Sequence, residues 1–300
     1  MEKVINLGIP HVGEQIFESI HTEDLLKCLT VSKTWEIQIE NVLAKRWQGK
    51  IFEAAEQGHA KLVELLLKRS TDLENELNDK KGVGKAPFAV ACQNGHKEVV
   101  ELLLSASNDV NIDLNATRYY GGTPCTGFMS ACARGHKNVV ELLLNQPEGK
   151  INFNAADNVE GRTAFMLAII QGHKNVVKLI LEHPDKKIDL NAKDHQGRTA
   201  FMLACEFERT QYVQLMMDYT EIDLNATDRY GHSAFMIACL YGNTDAVKLI
   251  LDCKNVKIDL DETDDIGRTA YMLAYPYVQH LNRHHYELIR DLIRKHQRQK

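Results

Sequence analysis

One stretch recurs along this chain almost letter for letter, and it limits the fold more than any other feature. It reads Gly161-Arg162-Thr163-Ala164-Phe165-Met166-Leu167-Ala168, followed by Gly172-His173 and then Val176-Val177-Lys178-Leu179-Ile180-Leu181. Further copies run Gly197-Arg198-Thr199-Ala200-Phe201-Met202-Leu203-Ala204, Gly231-His232-Ser233-Ala234-Phe235-Met236-Ile237-Ala238 and Gly267-Arg268-Thr269-Ala270-Tyr271-Met272-Leu273-Ala274. Looser copies start at Gly84 and Gly122. Self-similarity at a period of about 34–40 residues marks a stack of repeats, each one a small supersecondary unit.

The chemistry of one copy explains the need for neighbours. Thr163 can cap a helix, and Phe165, Leu167, Ala168 and Ile169 give that helix an apolar side. Gly172-His173 ends it in a tight turn, and Val176, Val177, Leu179, Ile180 and Leu181 supply the apolar face of a second helix. Two such helices cannot bury both faces alone.

These copies resemble ankyrin repeats over roughly residues 51–300. The family's usual Thr-Pro-Leu-His is here Thr-Ala-Phe-Met, so apolar packing is expected where the family places a hydrogen-bonding ring. Ile188-Asp189-Leu190-Asn191-Ala192 and its relatives should carry the hairpin between repeats, with Ile188 and Leu190 packed and Asp189 outward at strand period. The fold class expected is all-α: an ankyrin solenoid with β-hairpin loops. The expected divisions are a helical module at 1–50, a degenerate first repeat at 51–83, repeats at 84–266 and a capping repeat at 267–300. Ser70 to Lys85 is polar and reads as an irregular loop. In the last repeat Leu288, Ile289, Leu292 and Ile293 share a helix face, and Pro276 stops the helix before it.

Charge and cysteine content narrow the class. A net charge of −5 argues against a nucleic-acid binder. No run of 18 or more apolar residues is present, which argues against a membrane span. Met1-Glu2-Lys3-Val4-Ile5-Asn6 lacks the core of a signal peptide, so the cytosol or nucleus is the expected compartment. Cys92, Cys132, Cys205 and Cys239 recur one residue after the alanine of Phe-x-x-Ala. Helices pack about 8–10 Å apart, beyond the roughly 7 Å Cα limit of a disulfide, so these read as buried free thiols.

Residues 1–50 do not fit the repeat. Ile16, Phe17 and Ile20 have helical spacing, as do Leu25, Leu26 and Leu29, and Ser32 suits the cap of a third helix bearing Trp35, Ile39, Val42, Leu43 and Trp47. The apolar residues outnumber what one covered face needs, which marks an interaction site. This segment resembles an F-box: Ile9-Pro10, Ile16-Phe17-x-x-Ile20, Asp24-Leu25-Leu26 and Val31-Ser32-Lys33-Thr34-Trp35 follow the motif without gaps from Ile16 onward. Ile9 replaces the usual Leu, and the gap to Ile16 is one residue short. The resemblance implies docking on the Skp-type adaptor of a cullin-RING (SCF) ubiquitin ligase. It divides Ile9, Pro10, Ile16, Phe17, Ile20, Leu25, Leu26, Val31 and Trp35 between adaptor contact and the motif's own core.

No nucleophile motif, phosphate loop or Cys-x-x-Cys pair occurs, and no enzyme activity, cofactor or metal is expected. His59, His96, His136 and His173 recur once per repeat after glycine, about one packing distance apart, too far to converge on one ion. They read as structural turn residues. By the ankyrin resemblance, hairpin tips and first-helix ends line a concave face that holds a protein target. The positions expected there include Tyr119, Tyr120, His195, Arg229 and Tyr230 on hairpins and Phe207, Tyr241 and Tyr275 on helix ends. Tyr, Phe and Arg are the residue types that dominate hot spots. Lys85, Arg162, Arg198, His232 and Arg268 follow the glycines and would stack into a basic ladder, suited to an acidic or phosphorylated ligand if it reads a partner. Two functions stay open: a ligase substrate receptor, or an ankyrin scaffold or inhibitor whose first fifty residues cap the stack.

Overall fold

The computed structural model describes residues 17–29, 33–78, 85–120, 122–185, 188–253, 259–275 and 283–298. The chain divides into two compact units, residues 1–119 and 120–300.

The first unit begins with α1 (Thr22–Cys28) and α2 (Lys33–Arg46), which pack on each other, and α2 also packs on α4 (Ala60–Arg69). Phe17, Leu25, Ile39, Val42 and Leu43 are buried. Arg46 closes this module, donating to the carbonyls of Ile20 at 2.8 Å and Glu18 at 2.9 Å, while the Trp47 indole N–H reaches Thr22 Oγ1 at 3.2 Å. The first repeat pairs α3 (Ile51–Glu56) with α4. The stretch expected to be an irregular loop holds a short helix, α5 (Leu73–Leu77), because Leu77 finds a buried site. Then follow α6 (Pro87–Asn94), α7 (Lys97–Ala106) and β1 (Thr117–Tyr120), in which the division between units falls.

The second unit holds β2 (Thr123–Thr126) and five helix pairs. These are α8 (Gly127–Arg134) with α9 (Lys137–Leu144), α10 (Ala164–Gln171) with α11 (Lys174–Glu182) and α12 (Ala200–Glu206) with α13 (Thr210–Met217). After them come α14 (Ala234–Leu240) with α15 (Thr244–Asp252) and α16 (Ala270–Leu273) with α17 (Arg283–Gln297). The first helices pack in one row, α8 on α10, α12, α14 and α16 in turn, and the second helices in another. Ala164 to Ile169 are all buried because α10 is covered on both sides. α11 is amphipathic instead: Val176, Val177, Ile180 and Leu181 point inward, and Lys174, Asn175, Lys178 and Glu182 face solvent.

Caps fall where the sequence places them. Thr126, Thr163, Thr199 and Ser233 accept from the backbone N–H three residues on, at 3.3–3.5 Å. Met129, Met166, Met202 and Met236 are each 1% exposed, so the methionine column is apolar packing. The last copy departs from this: Met272 is 57% exposed, because no further first helix packs beyond α16 among the described residues. Cys92, Cys132, Cys205 and Cys239 are buried free thiols, and burial pushes the thiols of Cys92, Cys205 and Cys239 far above their ordinary range.

The linkers differ from the strands expected. Ile188 is buried and Asp189 exposed, but Leu190 is only half-buried, and the segment turns instead of extending. The turn arises because Asp189 Oδ1 accepts from the Asn191 N–H at 2.9 Å, an Asx turn. Asparagines then tie successive linkers: Asn154 Oδ1 accepts from Asp189 N–H and Asn191 Oδ1 from Asp223 N–H, both at 2.8 Å. Strand pairing in these later repeats is reduced to single bridges, Ala156 with Thr163, Thr227 with Ser233 and Thr263 with Thr269.

Donors at or after the turns that follow first helices tie a repeat to the one before. His96 Nε2 bonds the Glu56 carbonyl at 3.0 Å and His173 Nε2 the Ala133 carbonyl at 2.8 Å. Where histidine is absent another donor takes the role. Arg209 Nη2 reaches Ile170 O at 2.8 Å, Asn243 Nδ2 reaches Cys205 O at 3.0 Å, and the Tyr286 hydroxyl on α17 reaches Leu240 O at 3.1 Å. Each acceptor is a last-turn carbonyl that its own helix leaves unpaired.

Two substitutions test this packing. Asn243 also caps α15, accepting from Ala246 N–H at 3.1 Å, so Asn243→Ala should cost about 2 kcal/mol in urea unfolding, as loss of a cap plus a buried hydrogen bond. Tyr212 is fully buried and its hydroxyl has no partner among the described residues, so Tyr212→Phe should leave stability unchanged or raise it by up to about 1 kcal/mol; a clear loss would show that the hydroxyl is satisfied in solution.

Candidate protein-binding surface

In the second unit each hairpin tip is folded by one aspartate that the sequence reading passed over. Asp157 Oδ1 accepts from the N–H groups of Val159 and Glu160 at 2.9 and 2.7 Å, and its Oδ2 from Arg162 N–H at 3.0 Å. Asp194, Asp228 and Asp264 repeat the arrangement on the tips that follow. The signal was available, since an aspartate stands three or four residues before the glycine in the copies at Gly161, Gly197, Gly231 and Gly267.

Backbone bonds join the tips into a row. His195 N–H donates to Glu160 O at 2.8 Å, Arg229 N–H to Gln196 O at 2.9 Å and Asp265 N–H to Tyr230 O at 3.1 Å. This approach demands glycine. Gly197 has φ +79°, and a Cβ there would lie 2.8 Å from the Arg229 backbone nitrogen. The tips therefore present Val159, Tyr230 and Ile266 to solvent, with Ile266 74% exposed. The ends of the first helices add Phe207, Tyr241 and Tyr275, all exposed. Tyr230 and Ile266 hold corresponding tip positions and Phe207 and Tyr241 corresponding helix ends, whereas Gln196 and Gln171 fill these places in other copies.

The basic row is aligned, but its members are already occupied. Arg198 is buried, with Nη2 2.8 Å from Asp194 Oδ2 and Nη1 2.8 Å from Glu206 Oε2. His232 lies between Asp228 Oδ2 at 3.2 Å and Asp264 Oδ2 at 3.3 Å, and Arg268 Nε is 2.7 Å from the same Asp264 oxygen. Arg162 approaches Glu160 at 3.9 Å, and its Nε is buried without a partner. In the first unit Lys85 pairs with Glu53 at 3.6 Å. The tip aspartates pair with Arg198, His232 and Arg268 from within, whereas Arg162 and Lys85 face glutamates.

The other expected residues are placed as follows. His195 is exposed, its Nδ1 3.2 Å from Val159 O. The Arg229 guanidinium stacks 4.7 Å from the Tyr230 ring centre, and Arg290 stands 5.9 Å from that of Tyr275. Burial and the Glu206 carboxylate, itself gripped by Arg198, raise the Tyr241 phenol above its ordinary pKa, so it stays protonated. Tyr119 is exposed on β1, in the first unit, and the side chain of Tyr120 lies outside the described residues. In the N-terminal module Phe17 and Leu25 are buried within its interior, while Ile20 and Leu26 are half-buried. Ile9, Pro10, Ile16 and Val31, and the side chain of Trp35, lie outside the described residues. Ile37, which sequence reasoning did not single out, is 65% exposed on α2.

Repeat geometry of this kind agrees with comparison to known proteins. The family model for ankyrin repeats (three copies) matches residues 51–157, 111–194, 128–228, 186–264 and 221–298, and the chain belongs to the ankyrin-repeat family. Ankyrin repeats bind protein targets, so this is a protein–protein interaction module. Among solved structures it is similar to the ankyrin repeat domain of Bcl-3, a unique member of the IkappaB protein family. That match has 22% identity and a TM-score of 0.62, covering 80% of this chain and 97% of that one. An ankyrin repeat domain from Acinetobacter baumannii AYE matches at 21% identity and TM-score 0.55, covering 70% and 97%, and the human ASB11 ankyrin repeat domain at 18% and 0.59, covering 80% and 97%. At these identities the likeness is one of fold. No curated protein sequence matches the chain.

Asp264 gives the surface a pH signature. Burial opposes ionisation of Asp264, but the backbone N–H and guanidinium of Arg268 and the N–H of Ile266 outweigh it and hold the carboxyl below its ordinary value. A depressed carboxyl contributes stability above its unfolded pKa of about 3.9, and that contribution is lost as pH falls through the lower folded value. Thermal melts of Asp264→Asn should show a lower Tm at neutral pH and a smaller further loss on acidification below about pH 4 than the parent chain. Parallel acid curves would exclude this aspartate as a source of the signature.

Proposed function

We propose that this chain is a non-enzymatic target receptor whose hairpin tips and first-helix ends, from Val159 to Tyr275, hold a protein partner. The observation that carries this reading is the line of exposed Val159, Phe207, Tyr230, Tyr241, Ile266 and Tyr275 over an otherwise sealed stack. Exposed apolar patches on a well-packed protein mark interaction sites, and tyrosine and phenylalanine supply large contact area at low entropy cost.

The finer reading is a substrate receptor of an SCF-type ubiquitin ligase, with residues 1–50 recruiting the Skp-type adaptor. Catalysis then belongs to other subunits, and the receptor contributes proximity. The motif spacing from Ile16 to Trp35 supports it, as does the division of side chains: Phe17 and Leu25 fill the module while Ile20, Leu26 and Ile37 keep open apolar surface. A second reading, an ankyrin scaffold or inhibitor capped by residues 1–50, draws on the contact of α2 with the first repeat. There Arg69 donates to Asn41 Oδ1 at 2.6 Å and to Glu40 Oε2 at 3.1 Å.

Mixing the intact chain with a purified Skp-type adaptor separates the two. The receptor reading expects submicromolar binding that Leu26→Asp and Ile37→Asp each weaken by at least about tenfold, with unchanged thermal melts. A folded chain that leaves the adaptor unbound has a cap at its N-terminus and no ligase role.

A further inference from the structure

Glu208 is the single non-glycine residue with positive φ among the described residues, at +54°. It occupies the turn position that is Gly58, Gly95, Gly135, Gly172 and Gly242 in other copies, where φ is between +74° and +85°. A side chain in this left-handed conformation costs stability that glycine would not, and such strain concentrates where a side chain is needed for contact.

The surroundings show what that side chain can meet. Glu208 is exposed and makes no hydrogen bond or ion pair among the described residues. Phe207 precedes it, exposed, and Tyr241 stands at the corresponding position of the next copy, also exposed. The neighbouring cations are committed elsewhere: Arg209 donates to the Ile170 carbonyl through Nε at 3.3 Å and Nη2 at 2.8 Å, and Arg198 is gripped by Asp194 and Glu206.

We propose that Glu208, next to exposed Phe207 and one copy before exposed Tyr241, receives an arginine or lysine side chain, presented beside an apolar residue by a segment of the protein partner. A carboxylate with an open coordination sphere pairs the cation, and two aromatic faces cover its stem and charge. This deepens the target-receptor reading and rests on it. It also reverses the charge preference that the basic ladder suggested, because that ladder is neutralised internally whereas Glu208 is not.

A displayed random-peptide library selected on the intact chain supplies the probe, and selected peptides are then titrated by fluorescence polarisation. The expected result is enrichment of Arg or Lys next to an apolar residue. Affinity should fall about tenfold in Glu208→Gln and in Phe207→Ala. Glu208→Gly serves as a folded control: its Tm should rise while binding is lost. Peptides that lack basic residues, ignore Glu208→Gln and yet are weakened by Phe207→Ala and Tyr241→Ala would overturn the cation site and leave the receptor surface standing. Peptides indifferent to all these variants, or no enrichment at all, would overturn both.

Discussion

The first helices α3, α8, α10, α12 and α14 end with carbonyls that their own turns cannot satisfy, and the next repeat answers them. That single requirement shapes much of the rest. A donor must stand at the start of each second helix, or on it, with reach to the preceding repeat. The turn before it must be tight, and the two first helices must sit close enough for Ala, Cys and Met to fill the gap. The donors are chemically unlike, yet His173, Arg209, Asn243 and Tyr286 all end on a last-turn carbonyl of the repeat before. Geometry is kept while residue identity drifts, because the acceptor is backbone and accepts from any well-placed donor.

The binding surface follows from the same stacking. Tips brought into a row by packing are then locked by one backbone bond per step, and each tip is folded by its own aspartate. Val159, Tyr230 and Ile266 then face outward beside polar His195 and Arg229, and Glu208 carries a charge with no ion pair among the described residues. Alignment and availability are separate properties: stacking aligned Arg198, His232 and Arg268, and the aspartates beneath made them structural.

Period, caps and apolar columns were legible in the sequence because each depends on local spacing. So were the exposed positions of Tyr230, Phe207, Tyr241 and Tyr275, which follow from the repeat register. Three kinds of feature were not. Arg198 reads as a surface cation until the partner four residues earlier is seen to fold back on it. The linkers alternate like strands, but the Asx turn at Asp189 competes locally and wins. Tyr286 acts across 46 residues, from Tyr286 to Leu240, a distance over which no sequence period operates. Pairings between a side chain and a remote backbone group leave no local trace.

A chain built from near-identical copies faces an error unknown to sequences without repeats: copy n can settle on copy n + 2 with an almost equal hydrophobic fit. Thr-Ala-Phe-Met-Leu-Ala occurs unchanged at 163 and 199, so the apolar columns cannot tell one boundary from another. The unlike donors can. Arginine spans a longer gap than asparagine, and asparagine reaches the carbonyl one residue earlier, at Cys205, than the ring or guanidinium does in its own copy. Each junction thereby carries its own fitting, and skipping a copy strands a buried donor and an acceptor together. The drift in the donor column makes each junction chemically distinct where the apolar columns are alike.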